Sequence, residues 1–280
     1  MPTFDTPLPV TATVELPIGE LRVVATTRTD TVVEVRADPA DRAPADAVRT
    51  EFSGTELRVT GAPLSLLQKL VPRTPGRSIT VDIGLPTGST LHAVTSYGGV
   101  FTDGALGACT VRTEYGDVRL DAATSAAVTV GYGQIRVTGP IDGDATLTAD
   151  HGGIRVDRIT GSAVLRSKHG PVRADALGGP ADLTGAHGDI DVDVVEDDVR
   201  VRTAYGSVRL GRVSRGEIEL TSSHGRFEIG VAEGTALWLD ADTSGRVVND
   251  LTARDDPSGF TGTVTVHARS REGDIVIRRA

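Results

Sequence analysis

Apolar and polar residues alternate along this chain in short runs that return about every 18 residues. Between residues 97 and 225, eight such runs follow an aromatic residue or histidine and a glycine, as in EYGDVRLD and DHGGIRVD. Degenerate copies follow at Gly245 and Gly273. The eight glycines are Gly98, Gly116, Gly133, Gly152, Gly170, Gly188, Gly206 and Gly225. A fixed period of this length is typical of solenoids, in which each repeat stacks on its neighbours.

Alignment on the glycine predicts two strands in each repeat. Positions two and four after the glycine are apolar and flank a charged residue, as in Val118-Arg119-Leu120. Positions five and seven before it are also apolar, as in Val111 and Cys109, beside an outward polar column. Such alternation is typical of half-buried strands. Equivalent strands run in the same direction, so they are expected to stack in parallel about 4.8 Å apart.

The pattern therefore predicts an all-β fold, a single-stranded parallel β-helix (β-solenoid) with about 18 residues per coil. A left-handed hexapeptide helix has coils of similar length but needs an apolar residue at every sixth position. The apolar columns here fall at uneven offsets. This favours a right-handed coil, in agreement with the handedness of parallel crossovers.

One domain is expected over residues 1–280, with regular repeats at 91–229 and irregular coils on either side. The N-terminal coils (10–90) keep the glycine-strand pattern after Gly19 and after Gly54, and carry insertions at 39–47 and 62–78. The segment LSLLQKL in the second insertion predicts a helical turn or two. The C-terminal coils and cap occupy 230–280, where Trp238 and Phe260 are expected to cover the open end of the stack.

Composition narrows the class of protein. Aromatic residues make up 4% of the chain and glycine contributes 33 residues, so the core must be thin and aliphatic. A net charge of −9 argues against general binding to nucleic acid or to anionic membranes. No secretory signal or apolar membrane span is visible, and Cys109 is the single cysteine. We expect a cytoplasmic bacterial protein, without membrane insertion, whose arginine-rich composition is typical of a GC-rich genome.

The serial [ST]-x-[YH]-G-x-[VI]-x-[VL] units, the TSGRVVNDL segment at 243–251 and the terminal GDIVIRRA resemble a known family. They are similar to bacterial β-strand-repeat proteins of the DUF4097 type, often labelled "putative adhesins". The resemblance covers about residues 10–280. It implies a right-handed parallel β-helix and supplies no catalytic residues.

The ring that precedes each glycine forms a corner column. Two interpretations apply to it: rings stacked from coil to coil about 5 Å apart, or a metal or pH-sensitive site at His151, His169 and His187. Tyrosine replaces histidine freely along the column, and metal ligands must converge on one point, so stacking is favoured and no metal site is predicted. The column consists of Tyr97, Tyr115, Tyr132, His151, His169, His187, Tyr205 and His224.

An arginine column on the post-glycine strands is the candidate binding surface. In register it would form a basic stripe for a polyanion, an acidic polysaccharide or an acidic partner. Aspartates two residues further on are expected to neutralise this stripe in part, as exposed pairs of little energetic value. The arginines are Arg119, Arg136, Arg155, Arg173 and Arg209; the aspartates are Asp103, Asp121, Asp157, Asp175 and Asp193.

No cofactor is predicted, because the chain carries no phosphate-binding glycine loop and no convincing nucleophile set. We expect a non-catalytic scaffold or binding module for a protein or polysaccharide partner, as a monomer or weak oligomer. The alternative is a carbohydrate-binding adhesin or a carbohydrate-active β-helix enzyme, which would need two carboxylates across a glycosidic bond. Departures from the repeat, at Asp191, 62–78 and 230–270, are the places where function is most expected.

Overall fold

The structure, a computed structural model, describes residues 1–37, 43–62, 79–252 and 259–280. The insertion helix expected at LSLLQKL and parts of the other insertions lie outside these residues. The chain divides into two compact units, Met1–Thr138 and Gly139–Ala280. Strand β13 (Ile135–Ile141) begins in the first unit and ends in the second. That all 280 residues form one domain stays a prediction.

The first unit contains twelve further strands and one helical turn, α1 (Ala43–Asp46). The strands are β1 (Thr3–Asp5), β2 (Thr11–Ile18), β3 (Glu20–Thr26), β4 (Asp30–Ala37), β5 (Arg49–Ser53), β6 (Glu56–Thr60), β7 (Ile79–Pro86), β8 (Thr90–Tyr97), β9 (Val100–Asp103), β10 (Ala105–Tyr115), β11 (Val118–Leu120) and β12 (Ala122–Tyr132). Pre-glycine strands pair in parallel in the order β6-β2-β8-β10-β12. Post-glycine strands follow the order β7-β3-β9-β11-β13.

The second unit repeats the same two parallel stacks. Its strands are β14 (Ala145–His151), β15 (Ile154–Ile159), β16 (Ala163–His169), β17 (Val172–Leu177), β18 (Ala181–His187), β19 (Ile190–Val195), β20 (Val199–Tyr205), β21 (Val208–Val213), β22 (Gly216–His224), β23 (Phe227–Val231), β24 (Thr235–Thr243), β25 (Val247–Asn249), β26 (Gly262–Glu272) and β27 (Ile275–Arg279). Pre-glycine strands pair in the order β14-β16-β18-β20-β22-β26-β24. Post-glycine strands follow the order β15-β17-β19-β21-β23-β27-β25.

The predicted fold class is confirmed: each unit is an all-β parallel solenoid with coils of about 18 residues, as in the pairing of Ile154 with Val172. Side chains of the predicted inward columns are at most 7% exposed in every copy except that of Gly245. Burial of these aliphatic columns is the main term that stabilises the coils. The right-handed sense of the coil stays a prediction. No helix among the described residues has the length and apolar character needed to cross a bilayer.

A third inward column was missed in the sequence. Alternation slips once in the post-glycine strands of the second unit, so that two neighbouring residues face outward before the next buried one, as at Asp157 and Arg158. The apolar residue about seven positions after the glycine was its signal. The buried residues of this column are Ile159, Leu177, Val195 and Val213.

At the start of the chain, the strands expected after Gly19 and after Gly54 are both present, but only Gly19 makes a coil corner. Gly54 lies in the turn of an antiparallel hairpin, in which Ser53 of β5 pairs with Glu56 of β6. Strand β6 then stacks on β2 as a pre-glycine strand, with Leu57 1% exposed. The antiparallel strands β4 and β1 extend the sheet beyond β7. This end of the first unit therefore has a protective edge of antiparallel strands.

The last coil in sequence is not the last in space. Strands β26 and β27 lie between β22–β23 and β24–β25 in the stack. Trp238 of β24 is 68% exposed, so the expectation that it covers the end of the stack is wrong.

Cys109 lies in an inward column of β10 and is 1% exposed. Burial raises the pKa of its thiol to about 12, so the reactive thiolate is scarce at neutral pH. We expect no reaction with a thiol-specific disulfide reagent in the native protein and one equivalent after unfolding in guanidinium chloride. Rapid labelling of the native protein at pH 8 would contradict this placement.

Candidate functional site

The corner rings lie face to face within each unit. In the first, Tyr97, Tyr115 and Tyr132 have successive centroids 5.1 and 4.9 Å apart with planes within 4°. In the second, His151, His169, His187, Tyr205 and His224 are spaced by 4.7–5.2 Å. In-register pairing of parallel strands, such as His169 with His187, produces this spacing.

Stacking limits what the corner can do chemically. Ring faces are occupied by neighbouring rings, so mainly ring edges remain open to solvent, and Tyr115 is 44% exposed. Parallel rings also keep their nitrogen atoms from converging on one point. The described residues contain no group of three or more His, Cys, Asp or Glu side chains that could hold a metal ion. Because its ring faces are occupied, the corner is a poor platform for stacking sugars.

Strand register determines which members of the arginine column are direct neighbours within each unit. Arg119 pairs directly with Arg136 in the first unit. In the second unit Arg155 pairs with Arg173, which is followed by Asp191 and then by Arg209. Asp191 therefore interrupts the basic column.

The predicted neutralisation by aspartates occurs mainly at Arg209. Its Nη1 donates to Oδ1 of Asp191 at 2.7 Å and to Oδ1 of Asp193 at 3.0 Å, and these hydrogen bonds raise the pKa of Arg209. Arg155 reaches Asp175 only at 3.9 Å. Among the described residues, no carboxylate lies within ion-pair distance of the remaining arginines, Arg119, Arg136 and Arg173.

Two aspartates of the first unit bind the backbone of neighbouring coils. Oδ2 of Asp121 accepts the backbone N–H of Gly104 at 3.0 Å, and Oδ1 of Asp117 accepts that of Gln134 at 2.8 Å. This is the turn role expected of short acidic side chains. It leaves the guanidinium groups of Arg119 and Arg136 without an internal partner in the described part of the chain.

A surface groove of about 340 Å³ lies beside Arg119. We call the exposed pair Arg119 and Arg136 the arginine ladder. In the same column Phe101 pairs with Arg22 on one side and with Arg119 on the other. The Phe101 ring lies over Gly99, where an added Cβ would approach it to 2.6 Å. Arg136 is not part of the groove lining but pairs with Arg119 on the next strand. The charged and aromatic side chains that line the groove are Arg22, Phe101, Asp103, Arg119 and Asp121.

Phe101 and Arg22 were missed as site residues. Phe101 occupies the position at which most other copies carry arginine, and this departure from the repeat was the available signal. Arg22 precedes the regular repeats, and only the pairing of β3 with β9 brings it into the column. Its Nε lies 2.5 Å from Oε1 of Glu20, so its charge is partly compensated.

No protein-family model matches this chain, and no curated protein sequence matches it. Solved structures do show similarity over nearly the whole length. A "putative adhesin" from Parabacteroides merdae is 9% identical, with 98% of this chain and 94% of that chain covered and a TM-score of 0.41. A "putative adhesin" from Parabacteroides distasonis is 12% identical, with 99% and 95% covered and a TM-score of 0.39.

A "Putative lipid binding protein" from Parabacteroides distasonis is 12% identical, with 100% of this chain and 96% of that chain covered and a TM-score of 0.26. Identities of 9–12% with TM-scores below 0.5 establish neither a common family nor a common activity. Function has to be argued from the residues of this chain.

Proposed function

We propose that this chain is a non-catalytic binding module whose arginine ladder, Arg119 and Arg136, holds an acidic polysaccharide. The observation that carries the proposal is the pairing of two exposed arginines on adjacent strands without a carboxylate partner among the described residues. Two guanidinium groups about 4.8 Å apart repel each other by about 1 kcal/mol even in water. An anion that bridges them removes this repulsion.

The chemistry of the groove favours carboxylate or sulfate groups. Arginine presents a planar fork of donors that matches the two oxygens of a carboxylate. The chain as a whole carries a net charge of −9, so a local basic site is required for any acidic ligand to approach. Phe101 supplies an apolar surface beside the arginines, which suits the ring of a sugar.

Spacing favours a polysaccharide over an acidic peptide. An extended peptide places side chains of one face about 6.6 Å apart, whereas adjacent rungs of the ladder are about 4.8 Å apart. The spacing of successive acidic side chains on one face of a peptide therefore differs from the spacing of the arginines. Each sugar unit of a uronate polymer carries one acidic group, so two neighbouring units can offer one carboxylate to each arginine.

A non-catalytic role agrees with the state of the carboxylates in the groove. Asp103 and Asp121 both line the groove, but Oδ2 of Asp121 accepts a backbone hydrogen bond from Gly104, which leaves Asp103 as the one carboxylate there without such a bond among the described residues. A hydrolase would need two carboxylates placed across the scissile bond, one of them ready to donate a proton. An increase in reducing ends during incubation with the ligand would favour the enzyme alternative.

Charge reversal of the ladder tests the proposal. The R119E/R136E variant is expected to bind polygalacturonate at least about tenfold more weakly than the native chain, since each reversal turns an attraction of about 1 kcal/mol into a repulsion. The R58E/R112E variant carries the same charge change on exposed residues of pre-glycine strands and is the matched control. Titration calorimetry at two salt concentrations measures both, and binding is expected to weaken with salt.

Three outcomes would count against the proposal. If both variants lost the same amount of affinity, the effect would be due to net charge alone. If neutral dextran bound more tightly than polygalacturonate, the arginines would not be the groups that recognise the ligand. Tighter binding of poly-L-glutamate than of polygalacturonate would assign the ladder to an acidic protein partner instead. Fractionation of host cells separately tests the expected cytoplasmic location against the cell surface.

We also infer membership of the DUF4097-type group. The support is the series of eight corner units, followed by the TSGRVVNDL segment and the final GDIVIRRA. Each unit alone is weak evidence for the group, but eight copies followed by these two endings in this order are specific evidence. A sequence profile built from solenoids with these two endings tests the assignment: it should retrieve this chain ahead of other parallel β-helices.

A further inference from the structure

The outermost coil of the second unit leaves part of its core open. In the coil beneath it, Val264, Val266 and Ala268 of β26 are fully buried. Their neighbours in β24, Leu237, Leu239 and Ala241, are only half-buried. In β25, Val247 is 46% exposed and Val248 is 39% exposed. An apolar cross-section of the solenoid therefore faces outward at this end.

Strand β24 also presents an unprotected edge. It is nine residues long, and among the described residues it pairs with β26 alone. Native edge strands are normally shortened, bulged or supplied with lysine, proline or an inward charge. The sequence TALWLDADT has no lysine, proline or inward charge, and one of its two exposed aspartates, Asp240, is already paired with Arg269 of β26. Such an edge is suited to pairing with another strand.

We propose that β24 pairs in an antiparallel manner with β24 of a second copy of this chain, centred on Leu239. This register pairs all nine residues of the strand, because Thr235 and Thr243 are equidistant from Leu239. Leu239 then faces its own counterpart and Leu237 faces Ala241 of the other copy, so the half-buried apolar residues meet. A two-fold axis makes the contact self-complementary and closed.

The positions of the charged residues in β24 favour a second copy of this chain as the partner, and they favour this register. Asp240 faces Trp238 of the second copy and Asp242 faces Ala236, so no carboxylate opposes another. Centring the pair on Asp240 instead would set two carboxylates against each other. Shifting the register by one residue would turn the apolar column of one copy toward the outward column of the other. Trp238, the only tryptophan of the chain, is 68% exposed in the single copy, and such residues are enriched in interfaces.

The size of the surface sets the strength of the contact. Nine strand residues span about 30 Å, and packed sheets are about 10 Å apart, so the coil cross-section is about 300 Å² per copy. A standard stable interface buries about 800 Å² per partner. The dimer is therefore weak and concentration-dependent, and it is to be sought at high protein concentration.

Cysteine cross-linking tests both the dimer and its register. In L239C the two introduced cysteines face each other, with Cα atoms about 4.5–5.5 Å apart, which suits a disulfide. In A241C, the matched control in the same strand and inward column, the two cysteines are about 13 Å apart along the strand. Oxidised glutathione is expected to cross-link L239C at least tenfold faster than A241C. Cys109 is buried and does not compete.

The unmodified chain supplies a second measurement, which does not depend on the folding of any variant. Sedimentation is expected to show a reversible shift toward the mass of a dimer as concentration rises, together with a blue shift of Trp238 emission. Monomer mass at all concentrations, or equal cross-linking rates for L239C and A241C, would overturn the proposal. Association into species larger than a dimer would overturn the closed two-fold contact in favour of a filament.

Discussion

Replacing Gly188 with alanine is expected to lower the free energy of unfolding by about 3–5 kcal/mol, among the largest effects of a single methyl group. Gly188 has φ of +144°, a conformation that residues with a side chain rarely adopt. An added Cβ would also lie 2.3 Å from the carbonyl oxygen of Gly170 in the neighbouring coil. The obstacle is backbone, so no side chain can move aside.

Gly185 is the matched control, because it lies three residues away in the same coil. Its added Cβ would meet Ile190 at 3.4 Å and Thr203 at 3.5 Å, which are ordinary contacts. G185A is therefore expected to change stability by less than about 1 kcal/mol, and alanine removes backbone freedom from the unfolded chain. Urea unfolding followed by circular dichroism measures both variants. If G188A and G185A were equally stable, the corner position would not require glycine for close stacking of the coils.

The corner could be predicted from the sequence because the repeat places the same residue type at the same point of every coil. Glycine at each corner lets the backbones of successive coils approach closely, as at Gly170 and Gly188. The rings beside the glycines follow in register, and the apolar columns point inward. These features depend on local chemistry repeated at a fixed period, which an alignment reveals.

The ends could not be predicted in the same way. The order of coils there depends on which strands pair, and chain order is a poor guide when long connections intervene. Strand β26 follows β24 in sequence but lies between β22 and β24 in space. The glycine-strand pattern at Gly54 likewise does not distinguish a coil corner from a hairpin turn, and only the pairing of β5 with β6 does so.

Pairing of charges also depended on register. An aspartate two residues beyond an arginine and one strand away is a diagonal neighbour, about 7–8 Å distant at the backbone. At Asp121 the short side chain binds the nearer backbone N–H of Gly104. Asp191 stands directly opposite Arg209 in the same column and forms an ion pair at 2.7 Å. The diagonal neighbour Asp193 also reaches Arg209, at 3.0 Å, so the sequence shows both patterns but not which aspartates turn toward an arginine and which toward the backbone.

Phe227 is the second position at which a large effect is expected. Its truncation to alanine should lower the free energy of unfolding by about 3–5 kcal/mol. Phe227 is fully buried and is the only aromatic residue in its inward column. Val208 and Ile275 are its neighbours in the adjacent coils. These aliphatic side chains cannot fill the space left by a ring without moving their own strands. F227I, which restores the residue type of the column and leaves a smaller cavity than alanine, is expected to be clearly less destabilising than F227A.

The effect of F227A should be local, because each coil of a solenoid contacts only its neighbours and stability is approximately a sum of coil and interface terms. Strand β27 rests directly on β23 through the pair Phe227 and Ile275, so the last coils should open first. Hydrogen exchange is expected to accelerate at the amides of Ile275 and Val266 while that of Val111 in the first unit stays unchanged. F101A, the same kind of truncation at a half-buried ring, is the control and should lower stability by less than about 1 kcal/mol. Acceleration spread evenly over both units would mean that they unfold as one cooperative body, in which a cavity near one end weakens every coil alike.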